Sequence, residues 1–214
     1  ETDAALGPVP AAYRADAIVL RGGILGSSSD VNTTVTTTIV PTRGITLEGA
    51  GELGPRSGNI LCVQAPIVGT GDLRLSLQMG RGRLEAANGY TGRTVLGYMG
   101  SYWAGAQCRL EVTADGALPK TTQLEVANTS ATASISLNAS TQRVVAVSVG
   151  ATAKLMLYGN DAGAGLLRFG TAADESLAVT NVYLAADATF AYAGAGTVTP
   201  NLSTAVGTTF ALEG

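Results

Sequence analysis

The chain predicts an all-β solenoid of short strands, with a β-sandwich or jelly roll as the alternative. Three observations carry that expectation. Apolar residues recur with period two, as in half-buried strands, and not with the 3.6-residue period of a helix. Small residues dominate, for 28 of the 214 residues are Gly while aromatic residues make up only 5%. Turn punctuation by Gly, Asn, Asp or Pro returns about every 12 residues, yet the hairpin dipeptide Asn-Gly occurs once, at Asn88-Gly89.

Residues 1–20, with Pro8 and Pro10 ahead of Ala17-Ile18-Val19-Leu20, read as an extended arm and not as a capping helix. Alternating segments follow in order at Leu73–Leu77, Leu110–Val112, Leu124–Val126, Ile135–Leu137, Leu155–Leu157 and Val179–Val182. Only residues 101–107 have a helical possibility. A sandwich needs longer strands, hairpin signals and several core aromatics. A solenoid needs short strands and small apolar side chains that fill a narrow interior, its coils stacked about 4.8 Å apart. The composition fits the second. Residues 1–169 are read as solenoid with its arm, and 170–214 as terminal coils or a capping or assembly element of the same domain.

Composition also removes function classes. With Lys+Arg 13 against Asp+Glu 16 the net charge is −3, so no basic face for a phosphate backbone is expected, and no nucleic-acid partner. Histidine is absent, which excludes a Ser-His-Asp triad, a Cys-His pair and a His-ligated metal. No cofactor is expected. Apolar runs such as Val144–Val147 are far shorter than the roughly 20 residues of a membrane span. No signal peptide is visible ahead of Glu1, as in a processed chain or an excised fragment.

Gly69-Thr70-Gly71-Asp72-Leu73, then Gly80-Arg81-Gly82-Arg83-Leu84, then Asn88-Gly89-Tyr90-Thr91-Gly92-Arg93-Thr94-Val95 form a patterned series. It resembles the autotransporter-associated β-strand repeat, with its G-x-G-x-L, G-x-G-x-L and N-x-Y-x-G-x-T-x-V segments. The likeness extends over residues 40–150, from Arg43–Leu47 through Leu124–Val126 to Gln142–Val145. It implies a right-handed parallel β-helix in a secreted or surface protein of bacteria, without enzymatic activity in the repeats. Tyr98–Gln107 is an insertion relative to that pattern, and residues 170–214 do not match it.

The repeat-motif residues Asn88, Tyr90, Gly92 and Thr94 are read as turn architecture. Asn88 tolerates a left-handed turn, Gly89 and Gly92 give backbone freedom, and Thr94 opens the next strand. The rival reading has Tyr90 offer its ring to a sugar. Arg74, Arg81, Arg83 and Arg93 are candidates for an anionic polysaccharide, or else pair with Asp72 and Glu85 across coils. Tyr98, Tyr102 and Trp103, in the inserted loop, are candidate contacts for a partner or a cell-surface glycan. Asp115, Asp161, Asp174, Glu175 and Asp187 lie near turns, without the converging pair a glycosidase needs or a repeated calcium pattern. No catalytic or metal-binding residue is assigned. Cys62 and Cys108, about two coils apart, are a candidate disulfide or else a pair of buried free thiols.

The expected function is non-enzymatic: an extracellular, self-assembling or stacked solenoid in a bacterial surface filament, stalk or adhesin. Its expected partner is itself, through terminal coils or the strand carrying Thr208, Phe210 and Leu212, which has no Lys or Pro to blunt it. A carbohydrate-binding module and a polysaccharide-acting enzyme are the alternatives.

Overall fold

The computed structural model describes residues 3–27, 35–56, 58–76, 80–97, 107–127, 132–138, 140–149, 154–158, 165–169, 176–186, 188–192, 197–204 and 209–212. After a 3-10 turn at Asp3–Leu6, its first coil is β1 (Arg14–Leu20), β2 (Ile24–Leu25) and β3 (Thr36–Ile39). The second is β4 (Arg43–Leu47), β5 (Gly51–Leu53) and β6 (Ile60–Val63), and the third β7 (Ile67–Gly69), β8 (Leu73–Leu75) and β9 (Arg81–Leu84). Next come β10 (Thr94–Leu96), β11 (Gln107–Val112), β12 (Gln123–Val126) and β13 (Thr132–Ser136). They are followed by β14 (Thr141–Val144), β15 (Ala146–Val149), β16 (Lys154–Tyr158) and β17 (Gly165–Phe169). The last are β18 (Ser176–Ala186), β19 (Ala188–Tyr192), β20 (Thr197–Thr204) and β21 (Thr209–Leu212).

Every pairing among these strands is parallel. That excludes the sandwich, whose sheets are antiparallel, and makes the chain a β-solenoid. One face is the eight-stranded sheet β3-β6-β9-β11-β13-β16-β18-β20, and another is β2-β5-β8-β10-β12-β15. The remaining face begins as β1-β4-β7 and ends as β14-β17-β19-β21. Between those two sheets the ladder runs on through non-strand residues, with Gly89 N donating to Ile67 O (2.8 Å), Asn88 N to Gly116 O (3.0 Å) and Gly116 N to Thr141 O (3.2 Å).

Period-two alternation places alternate side chains inside, and parallel register stacks each on its counterpart one coil away. Leu53, Leu75, Leu96, Val126 and Val149 form one such column. Leu61, Gly82, Leu110, Ile135 and Leu157 form a second. The leucines, Ile135 and Val126 are buried to 1% exposure or less. Burying each such side chain stabilises by about 1.5–3 kcal/mol, so small aliphatics carry most of the core, with Tyr90 and Phe169 as large buried rings among them. A coil takes 22 residues from Ile45 to Ile67 and 21 from Ile60 to Arg81. It takes 28 from Arg81 to Arg109, so the insertion after Leu96 lengthens one coil and leaves the ladder in register.

The arm expected over residues 1–20 is corrected. Arg14–Leu20 is the first strand of the solenoid, paired with β4, and Asp3–Leu6 is a helical turn packed near β3. Apolar alternation in Ala15–Leu20 carried that strand; the two prolines belong to the segment before it.

Candidate functional site

The motif corner is a structural joint. Asn88 sits where two faces meet, and its side chain replaces the backbone ladder there. Its Oδ1 accepts from Ile67 N (2.8 Å) in the coil before, and its Nδ2 donates to Ala117 O (2.7 Å) in the coil after. Gln142 does this toward the coil before it alone, with Oε1 accepting from Leu118 N (2.8 Å) and Nε2 donating to Ala114 O (2.8 Å). Asn59 Oδ1 takes Val35 N at 3.0 Å. All three amides are buried or nearly so, where an unpaired backbone N–H costs about 1–3 kcal/mol. Asn88→Ala is therefore expected to cost about 2–3 kcal/mol in urea unfolding; a loss under 0.5 kcal/mol, roughly, would show the bracket to be dispensable.

Asn88 owes nothing to a left-handed backbone, for among described non-glycine residues only Asn138 has one, at φ 46°. Gly92 likewise has no positive φ; a Cβ on it would run into the carbonyl of Gly71 one coil away. Thr94 does open β10. Tyr90 is fully buried, and its hydroxyl meets Thr94 Oγ1 at 2.5 Å. Thr94 Oγ1 in turn meets Thr122 Oγ1 at 3.0 Å, and Thr122 Oγ1 donates to Gly92 O at 2.8 Å. Burial pushes the Tyr90 phenol well above its ordinary value, the Thr94 bond offsetting part of the rise. A ring in this position is closed to a sugar.

The arginines do not make one patch. Arg81 and Arg83 lie on β9, Arg74 on β8 and Arg93 just before β10. Arg93 bridges three coils, with Nη2 to Asp72 Oδ2 and Nη1 to Glu125 Oε2 both at 2.8 Å. Arg83 Nε meets Glu111 Oε2 at 2.7 Å, and Arg83 Nη1 stands 3.7 Å from Glu85 Oε1. Arg21 pairs with Glu48 across the first two coils. Arg21, Arg83 and Arg93 are thus each paired with a carboxylate of a neighbouring coil. Asp115 is a corner support too, its Oδ1 accepting from Thr141 N at 2.6 Å.

Partial burial opposes ionisation of Asp72, but the bonds from Arg93 outweigh it and hold the carboxyl below its usual range. A depressed carboxyl contributes stability above its unfolded pKa, about 3.9, and loses that contribution as pH falls through the lower folded value. The urea midpoint of the wild type should fall on acidification below pH 4, roughly, and Asp72→Asn should flatten part of that slope, by at most about 1 kcal/mol. Identical pH profiles would contradict it.

Of the two readings of the cysteines, the disulfide is corrected and the buried free thiols stand. Both cysteines are buried free thiols. They lie two coils apart on one sheet, but Cys62 aligns through Arg83 with Glu111, three residues beyond Cys108. Cys62 stands between inward Leu61 and Val63 and so points outward, whereas Cys108 shares the inward side with Leu110. Two strand spacings alone, about 9.6 Å, exceed the Cα separation of about 4.4–6.8 Å that a bridge needs. Burial and the Glu85 carboxylate push the Cys62 thiol up to about 12. Native protein at pH 8 should resist alkylation, and without reductant both thiols should react once it is unfolded. Absence of two free thiols after unfolding would overturn this.

Among the described residues, no group of three or more His, Cys, Asp or Glu side chains is placed to hold a metal ion, and no helix is long and apolar enough to cross a membrane. Tyr98, Tyr102, Trp103, Asp161, Asp174, Glu175, Asp187 and Thr208 lie outside the described residues. Phe210 and Leu212 belong to β21, the last strand of its sheet, aligned with Phe190 and Tyr192. Sequence reasoning missed Asn59, Gln142, Thr122 and Arg43, whose side chains bridge segments 24 to 37 residues apart. Compared with known proteins, the chain matches no family model, no curated protein and no solved structure.

Proposed function

We propose that this chain is a non-catalytic structural β-solenoid that works outside the bacterial cell as a rod in a surface filament, stalk or adhesin, associating with itself end to end. One observation supports this reading above the others: the polar side chains at the motif corner and beside it are committed to neighbouring coils along the axis. Asn88, Arg93 and Gln142 hold the rod together where a binding site would leave such groups turned to a ligand. The resemblance of residues 69–95 to the autotransporter-associated repeat supports the surface location. Negative-stain microscopy and light scattering at neutral pH test it. End-to-end particles are the expected result, and a strictly monomeric 21.5 kDa particle across the micromolar range would overturn self-association.

A second reading has one observation in its favour. The coil between Leu84 and Val112 is longer than its neighbours, the sequence between β10 and β11 contains Tyr98, Tyr102 and Trp103, and aromatics on a loop stack on sugars. Glycan-array binding lost in Trp103→Ala would favour it; no binding by the wild type would dismiss it.

A further inference from the structure

Among the residues whose side chains are described, which excludes those of β18 to β21, the exposed large apolar ones lie in the first coil and the segment before it. They are Leu6, Val9, Tyr13, Val19 and Ile24, between 38% and 65% exposed. Around them β1 and β2 each stand last in their sheets, with one side open. The third strand of that coil, β3, also ends its sheet, but the turn Asp3–Leu6 packs near it. A further coil continuing the ladder beyond β3 would need the place this turn takes.

Arg43 holds the turn down. The residue is 3% exposed, and its guanidinium donates to three successive carbonyls, Leu6 O (3.2 Å), Gly7 O (2.8 Å) and Pro8 O (3.2 Å). Charge-assisted bonds to the C-terminal carbonyls of a helical turn are among the stronger polar contacts. The turn itself brings little apolar burial, since Leu6 is 42% exposed. Its attachment rests on this clamp.

We propose that Asp3–Pro8 is a displaceable cap latched by Arg43, and that the end it guards takes the C-terminal coil of a second copy, strand onto strand in parallel. This rests on the end-to-end association proposed above and names its control. The occupant follows from polarity. Every described ladder is parallel, so continuing it past β1, β2 and β3 requires strands running the same way. A second copy presents such strands for two of the three faces at its opposite end where, among the described residues, β20 closes the sheet of β3 and β21 closes the face of β1. Docking there would pair the open backbone groups of β1 and β3 and cover Val19.

Two variants loosen the cap. Arg43→Gln removes the charge from inside, and Gly7→Val strains the turn from outside, because Gly7 has φ 90° with open space where a Cβ would stand. In the dilute monomer, each should speed amide exchange across Thr36–Ile39. Each should also lower the concentration at which light scattering detects association by about tenfold, the worth of a charge-assisted bond. Val19→Lys, at an exposed site on β1, should raise that concentration and leave exchange unchanged. Unaltered exchange over residues 36–39 in both cap variants overturns the cap. Faster exchange with no association of any variant overturns end-to-end assembly, and the docking with it. Association unaffected by Val19→Lys overturns the docking face.

Discussion

Gly71→Ala is expected to lower the unfolding free energy by about 3–5 kcal/mol, at the severe end for one methyl group. Gly49, Gly71 and Gly92 occupy matching places on three successive coils. A Cβ on Gly71 would fall inside contact of the Gly49 carbonyl oxygen, and one on Gly92 would meet Gly71 in the same way. The opposing atoms are backbone, and backbone here has little room to yield. Thr70 N and Gly71 N both donate to Leu47 O, at 3.0 and 3.1 Å, and Gly51 N donates to Asp72 O at 2.9 Å. Separating two coils to admit the methyl would stretch these bonds together. Gly89→Ala is the control, because its Cβ would meet only Val68 Cγ1, at 3.8 Å; it should change stability by less than about 0.5 kcal/mol. Urea unfolding of both decides it, and a Gly71→Ala midpoint equal to that of Gly89→Ala would remove close coil approach as the reason for glycine.

Tyr90→Ala is expected to cost a similar amount, about 3–5 kcal/mol, by leaving a cavity where a large ring packs in an interior of small side chains. Tyr90→Phe separates the two contributions. It keeps the ring but removes the hydroxyl from the chain Tyr90–Thr94–Thr122–Gly92 O, and should cost about 1–2 kcal/mol. The raised Tyr90 pKa means the neutral phenol is the folded form, so its contribution is present below the unfolded value near 10 and is lost as pH rises toward the folded value. Wild type should therefore lose stability in alkali more steeply than Tyr90→Phe. Equal loss in both would show that the phenol does not titrate against folding.

The fold was legible because a solenoid writes itself locally. Leu73-Arg74-Leu75 and Leu124-Glu125-Val126 alternate in and out, and each coil repeats the pattern, so period two and small residues were enough to expect stacked short strands. The pairing of Arg93 with Asp72 was also within reach, being a contact across one coil between oppositely charged residues near turns. Other roles were hidden because they depend on which atoms register brings together. Asn88 looked like a turn residue from its neighbour Gly89, whereas its work is done on Ile67 and Ala117, in the coils on either side. The two cysteines had the right spacing and the wrong sides of a sheet, and side is set by parity within the strand. Arg43 stood inside a patterned segment, with nothing local to show that its guanidinium reaches Leu6, Gly7 and Pro8.

The amide bracket at Asn88 and the ion pairs of Arg93 bear on how the rod would carry a pull. Its backbone hydrogen bonds point along the long axis, so tension applied at the ends loads one junction between coils at a time, and such a stack parts at its weakest junction. Asn88 and Arg93 belong to one coil, and each is tied both to the coil before and to the coil after. Force reaching either junction is shared through side chains with the other. Those three coils should yield as a block, which moves the breaking point outward to coils without such double ties and leaves the centre of the rod its toughest part.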